Sequence, residues 1–452
     1  MAIELTRRLG EFVSGLRSAD LPAESLPVIH TGFTDCIGVM IAGRGQPPAQ
    51  LLKAALSPPR GEATLLFGEG TAPAPEAAWI NGAAAHALDF DDVVLGLGHT
   101  SAVLVPAILA EAQAVGATGR QMVLAYAAGY ETWAELTRRD KNAYHSKGWH
   151  PTGIFGAVGA AAACASLRGL SAEQAAAALA LGCSQSAGIM ANFGTMTKPF
   201  HAGRAAHAGV ISARLAGSGF TAALDALEHP QGFLSAVSPT GRADFDSPVE
   251  AGVVWKLPKK RLSVKKYPLC FGTHRALDGI FDLLKENRLD PARVARVTVS
   301  TSRRTAAILR NHRPQTGLEA KFSMEFAMAC AIVAHRAMLS ELNDEFVRRA
   351  DIQSLMQRVT VDPDDREDPA MPSFSPDDQV SVQMADGSRL QSRKITSIRG
   401  DPEQPLDREE LWAKFEDCLR AGGKGVPARP LFDALMSLDK LDHIKRLPGL
   451  AV

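Results

Sequence analysis

Along the first 250 residues the apolar positions recur at helical spacing. QMVLAYAAGYETWAEL and AEQAAAALALGCSQS are alanine-rich, and alanine has the best helix propensity while letting helices approach closely. Each is introduced by a hydroxyl residue with a glutamine three positions later, Thr118 with Gln121 and Ser171 with Gln174, the pattern of a capping box. GRAAHAGVISARLAGSG reads the same way and ends in glycines suited to a C-cap. After about residue 260 the period changes to two. RVARVTVSTS puts Val297 and Val299 on one face, and QRVTVDP does the same with Val359 and Val361. DQVSVQMADGSRLQS alternates through Val380, Val382 and Met384, meets Asp386-Gly387, and continues in a second short run, which predicts a hairpin. Helix then returns in REELWAKFEDCLRA, opened by Asp407 with Glu410, and in FDALMSLDKLDHI. The acidic, proline-containing stretch at 362–378 reads as a loop. The expected fold is mainly α: a large all-α domain formed by 1–260 and 401–452, interrupted by a smaller α+β domain over 261–400. No internal repeat is visible.

Composition narrows the partners. The 452 residues carry 49 basic and 49 acidic side chains, for a formal net charge of zero, with 46% hydrophobic residues. The usual electrostatic grounds for a nucleic-acid or membrane-surface partner are missing. The six cysteines, Cys36, Cys164, Cys183, Cys270, Cys330 and Cys418, are far apart and form no CxxC pair, as expected of free thiols in a reducing compartment. The first twenty residues carry Glu4 and Glu11 and no apolar signal core, and GIFGAVGAAAACASL stops at Arg168, short of the roughly 20 residues a membrane span needs. The expectation is a cytoplasmic protein.

The chemistry concentrates in ALDFDDVVLGLGHTSAVLVPA at 87–107, where Asp89, Asp91 and Asp92 precede a glycine-rich turn and His99. Taken alone, DFDD favours a solvated cluster at a helix end. GLGHTS lacks the third glycine of a dinucleotide fingerprint, and no P-loop, GxSxG or HExxH motif is present. A magnesium-dependent helical cyclase would need a second ligand set, yet NDEFVRRAD at 343–351 has Val347 where its hydroxyl belongs, and aromatics are only 6% of the chain. No metal is expected. Four further segments, KGWHPTGIFG, TKPFHAGRAAHAG, VKKYPLCFGTHRALD and LEAKFSMEFA, put histidine or lysine at an apparent helix start. Such positions suit anion binding, carboxylate pairing and proton transfer near neutral pH.

With NGAAAHALDFDD and GHTSAVLVPA, the first three of these make the chain resemble the MmgE/PrpD family over essentially its whole length. That family includes 2-methylcitrate dehydratases, cis-aconitate decarboxylase and an iminodisuccinate epimerase. The resemblance implies a helical domain with an α+β lid, usually as a homodimer, a cleft for a small polycarboxylate, and neither a metal nor an organic cofactor. It implies catalytic roles for Asp89, His99, His150, Lys198 and Lys265: Asp89 lining the pocket, His99 exchanging protons, and Lys198 anchoring a carboxylate. Lys266, Tyr267, Cys270 and His274 are expected to bind substrate, although His274 also suits the start of the following helix and Cys270 suits a small buried thiol; Arg204, a turn or so beyond Lys198, is positioned either to reach a substrate carboxylate or to pack against a dimer partner.

Val93, Cys270 and Phe326 stand where the cis-aconitate decarboxylase pattern has threonine, histidine and tyrosine, and Thr100 replaces the usual proline of its histidine-proline-serine step. Losing polar contacts of that kind discriminates strongly between substrates, so decarboxylation of cis-aconitate is the less favoured outcome. The leading expectation is a cofactor-independent lyase, a dehydratase acting on a di- or tricarboxylate. The alternative is an epimerase or isomerase of an amino- or imino-dicarboxylate, with proton carriers on opposite faces of the substrate. A non-catalytic helical interaction protein ranks below both, since inward-facing lysines without a ligand are costly.

Overall fold

The computed structural model describes residues 4–450 apart from 141, 143 and 369–374. Its contacts divide the chain into two units, Met1–Ser263 with Glu409–Val452, and Val264–Arg408.

The first unit is built from α1 (Leu5–Gly15), α2 (Ser25–Gly43), α3 (Pro47–Leu56), α4 (Ala74–Ala87), α5 (Ser101–Val115), α6 (Gly119–Thr137), α7 (Pro151–Leu167), α8 (Ala172–Ser184) and α9 (Thr197–Gly217). Both capping boxes form: Thr118 accepts from the Gln121 backbone N–H, Ser171 accepts from Gln174, and each glutamine side chain reciprocates. α7 is apolar all round and buried along almost its whole length, packing against α5, α6, α8 and α9. α2 has the length and composition of a membrane span, contrary to the expectation that no segment reaches it; 83% of its apolar window is buried inside the protein, as in a core helix.

α4 and α9 approach so closely that a Cβ on Gly82 would lie 2.8 Å from the Gly203 Cα, and one on Gly203 would lie 2.2 Å from the Trp79 carbonyl oxygen. Only glycine fits at this crossing. It sets the C-terminal turn of α4, with His86, beside the N-terminal turn of α9, with Lys198.

Two expectations need adjusting here. The unit is not wholly α, because β1 (Ala63–Thr64) and β2 (Thr71–Ala72) form a small antiparallel pair. The last predicted helix is also broken. It runs Ala428–Leu435 and is followed by a separate single turn of 3-10 helix at Leu438–Lys440.

The second unit carries a sheet in the order β4–β3–β5–β6, from β3 (Val294–Ser302), β4 (Val359–Asp364), β5 (Gln379–Met384) and β6 (Arg389–Gln391). β3 runs parallel to β4 and antiparallel to β5, so Val297 sits between Val359 and Val382, and Val299 between Val361 and Val380. Helices His274–Glu286 and Met324–Ala334 pack into the same core, together with Ile352, Leu355 and Met356 of helix Ala350–Met356. The hairpin forms at Asp386-Gly387, with Gly387 at φ +86. The loop expected from 362 starts later, because β4 continues through Asp364; residues 369–374 lie outside the described residues.

Candidate active site

The DFDD run is not a solvated helix end. α4 stops at Ala87, and Asp89 adopts a left-handed conformation (φ +50) that turns the chain back. Asp91 and Asp92 are carried inside with no exposed surface, while Asp89 stays at the opening with a side chain 36% exposed. Gly96 (φ +84) and Gly98 (φ +114) complete the turn into α5. A Cβ on Gly98 would lie 2.7 Å from the Thr152 hydroxyl. That hydroxyl accepts the His99 backbone N–H at 3.1 Å, tying the turn to the first residues of α7.

Asp91 organises the interior. One carboxylate oxygen lies 2.8 Å from His99 Nδ1 and the other 2.9 Å from His86 Nδ1. His99 Nδ1 is also 3.0 Å from the Asp92 carbonyl oxygen. Both of its neighbours are acceptors, so Nδ1 carries the proton and Nε2 of the neutral ring is left as the acceptor. The two imidazolium-capable partners hold the Asp91 carboxyl far below the ordinary carboxylate range despite its burial. Burial brings His86 down to about 4, so it is neutral near pH 7. The rings of His86 and His99 are 4.3 Å apart between centres.

Toward the opening, His99 Nε2 lies 3.9 Å from Asp89 Oδ1, and Lys198 Nζ donates to the same oxygen at 2.7 Å. Lys198 also sits 5.5 Å over the Phe193 ring. His150, the N-cap residue of α7, packs edge-on against Phe193, and its Nδ1 lies 3.1 Å from Nδ1 of His201, so one ring donates and the other accepts. Burial, reinforced by neighbouring cationic groups, pushes both of these imidazoles down and keeps them uncharged near neutrality. The site therefore assembles one ammonium, two carboxylates and several neutral imidazoles.

His86, Asp89, Asp91 and His99 also place possible metal-ligand atoms within 4.8 Å of one another. The donor set fits a proton network better than a cation. Both Asp91 oxygens and both Nδ1 atoms are committed to each other, and the Asp89 oxygen already carries the Lys198 ammonium.

Of the residues expected at the site, Asp89, His99, His150 and Lys198 come together. Arg204 does not join them. Its guanidinium stacks over Trp79 at 5.4 Å and lies 2.9 Å from His207 Nδ1, one helical turn along α9. Lys265, Lys266, Tyr267, Cys270 and His274 belong to the second unit. There Tyr267 donates to Asp278 at 2.8 Å, and the His274 ring packs against Tyr267 and Phe271 at the head of its helix. Cys270 is half-buried, and its backbone N–H donates to the Lys321 carbonyl. Phe326 is wholly buried in that unit's core. His86, Asp91 and His201 were not singled out as site residues, although HALDFDD and TKPFHAG contain them.

The model of the MmgE/PrpD N-terminal domain matches residues 7–246, and that of the MmgE/PrpD C-terminal domain matches residues 267–429. Among curated proteins the chain is similar to cis-aconitate decarboxylase of Homo sapiens, 29% identical over 76% of this chain and 72% of the relative. It is 26% identical to that of Mus musculus over 82% of this chain and 77% of the relative. It is 24% identical to that of Aspergillus terreus over 98% and 95%.

Proposed function

The chain belongs to the MmgE/PrpD family, and from that premise we propose that it is a lyase acting without an added cofactor, a dehydratase of a small di- or tricarboxylate. The observation that carries this reading is the convergence of His99 Nε2 and the Lys198 ammonium on one Asp89 oxygen, with His99 backed by the buried Asp91 carboxylate. A basic nitrogen and a fixed cation at one point suit abstraction of a proton from the carbon beside a carboxylate. His99 takes that proton. The electron pair delocalises into the carboxylate held by Lys198, then forms the C=C bond as the β-hydroxyl departs. The imidazolium returns its proton to that oxygen, so water leaves and the base is regenerated. General base catalysis of this kind contributes about 10²–10⁴ in rate, and the fixed ammonium adds stabilisation of the developing charge.

Decarboxylation is the second reading, favoured by the names of the relatives. Here His99 first takes a proton from solvent at Nε2, CO₂ leaves with cleavage of a C–C bond, and that imidazolium protonates the resulting carbanion. Epimerisation needs proton carriers on opposite faces of the substrate, whereas His99 and Lys198 approach a single oxygen. On the family resemblance Lys265 remains a proposed catalytic residue, and Lys266, Tyr267, Cys270 and His274 remain proposed substrate-binding residues. A homodimer and a reducing, cytoplasmic setting belong to the same proposal, the latter supported by the six free cysteines.

Proton NMR in D₂O with 2-methylcitrate, citrate, cis-aconitate, malate and iminodisuccinate, beside His99→Ala, tests this. New olefinic signals lost in the variant support a dehydratase, and itaconate-type signals from cis-aconitate support the decarboxylase. Deuterium entering an α-position without loss of substrate supports the epimerase. Silence across the panel overturns the substrate class.

A further inference from the structure

We propose that Asp91 is the positioning residue that holds His99 with Nε2 free to accept a proton, and that His86 sets how basic His99 is by sharing the same carboxylate; the inference rests on the reading of His99 as a base.

His86 calls for an explanation of its own. The side chain has no exposed surface, and its Nε2 has no hydrogen-bond partner among the described residues. Leaving a buried polar atom unsatisfied costs free energy. What His86 does make is the 2.9 Å contact from Nδ1 to Asp91. The two oxygens of Asp91 are thus divided between two imidazoles, at 2.8 and 2.9 Å. An ionised carboxylate that accepts two N–H donors presents less charge to each than it would to one. Removing the His86 donor concentrates that charge on His99, stabilises its imidazolium and raises its basicity. Because His86 stays neutral down to about pH 4, it acts on His99 as a dipole and does not titrate alongside it.

The other groups facing this pair come from every neighbouring element. They are Asp89 and Asp92 on the same loop, His150 at the start of α7, Lys198 and His201 on α9, Asp35 and Cys36 on α2, and Lys414 on helix Arg408–Gly422. None of these takes over the His86 hydrogen bond to Asp91. The asparagine Nδ2 occupies nearly the place of the histidine Nδ1, so His86→Asn keeps the donor. His86→Leu removes it, and His86→Gln keeps the polarity but moves the donor out of reach.

The test is a titration of the full-length protein labelled with ¹⁵N-histidine, with the His99 signals assigned by their loss in His99→Ala. In the wild type, the neutral His99 ring is expected to carry its proton at Nδ1 and not at Nε2. Its midpoint should rise by about one pH unit in His86→Leu and return in His86→Asn. If His86→Leu does not fold, His86→Gln gives the same contrast with His86→Asn. Where a substrate from the panel is turned over, the acid limb of kcat/KM should shift in parallel. An Nε2–H tautomer in the wild type, or a His99 midpoint unmoved by loss of the donor, overturns the proposal. The titration needs no turnover, so a silent substrate panel with the expected shifts would refute the proposed reaction and leave the coupling standing.

Discussion

Replacing Lys414 with methionine tests how the loop bearing the acids is held. Lys414 is 3% exposed; its ammonium lies 2.5 Å from Asp35 Oδ1, donates to the Phe90 carbonyl at 2.8 Å and sits 4.1 Å over the Phe90 ring. Methionine keeps the stem and deletes the charge. Removing one partner of a buried pair costs about 3–5 kcal/mol, but Asp35 has a way out. Burial already pushes it upward with the ammonium in place, and burial together with Asp35 pushes Asp92 higher still. Without Lys414, Asp35 rises further and takes up a proton. A carboxyl raised above its unfolded value contributes stability when protonated and loses that contribution as pH rises through the folded value. The deficit of Lys414→Met is therefore largest at about pH 8 and shrinks toward about pH 5.5. At the alkaline end about 3 kcal/mol corresponds to a midpoint lower by roughly 3–5 °C for a unit of this size. Thermal unfolding of wild type and variant at the two pH values measures it. Asp35→Asn combined with Lys414→Met should recover most of the loss, because no buried charge is then left unpaired. An equal deficit at both pH values, or no recovery in the double variant, refutes the account.

Lys198→Met should lower kcat/KM by about 10²–10³, the scale of losing one fixed charge-stabilising donor, with little change in melting temperature; unchanged turnover would remove Lys198 from the mechanism. Gly98→Ala meets both a φ of +114 and the Thr152 hydroxyl at 2.7 Å, and should cost about 1–3 kcal/mol and most of the activity, as read by denaturation and turnover. Thr118→Ala removes a capping box far from the site, so about 1 kcal/mol of stability should be lost with activity per folded molecule unchanged. Glu131 accepts the backbone N–H groups of Lys256 and Leu257, and burial raises it to about 7. Its folded value lies above its unfolded one, so wild-type stability should fall as pH rises from about 4.5 through 7, and Glu131→Gln should flatten that slope in pH-dependent unfolding.

Much of the site was visible as segments in the sequence. DFDD, GHTS, WHP and TKP each contributed a side chain to the assembled cluster, because each motif is local and each lies at a helix end. The division of labour inside DFDD was not visible. Three aspartates within four positions carry no sign of which one faces solvent. The left-handed turn at Asp89 decides it, leaving Asp89 at the opening and burying Asp91 and Asp92. His86 and His201 went unnoticed for a related reason. A histidine inside an alanine-rich helix looks the same whether it packs quietly or shares a carboxylate. Arg204 is close to Lys198 in sequence but stacks over Trp79, a placement that position along the chain does not reveal.

The sequence by itself determined what depends on neighbours a few residues away. The capping boxes at Thr118 and Ser171, the change from helical to alternating period after about residue 260, the Asp386-Gly387 hairpin and the family are all written in short windows. Tertiary structure alone decided which charges meet out of water. Lys414 and the Phe90 carbonyl are 324 residues apart along the chain and 2.8 Å apart in space. Electrostatic and hydrogen-bond energies follow the second distance and the burial that comes with it, so the tautomer of His99 and the charge state of its neighbours are properties of the packed helices.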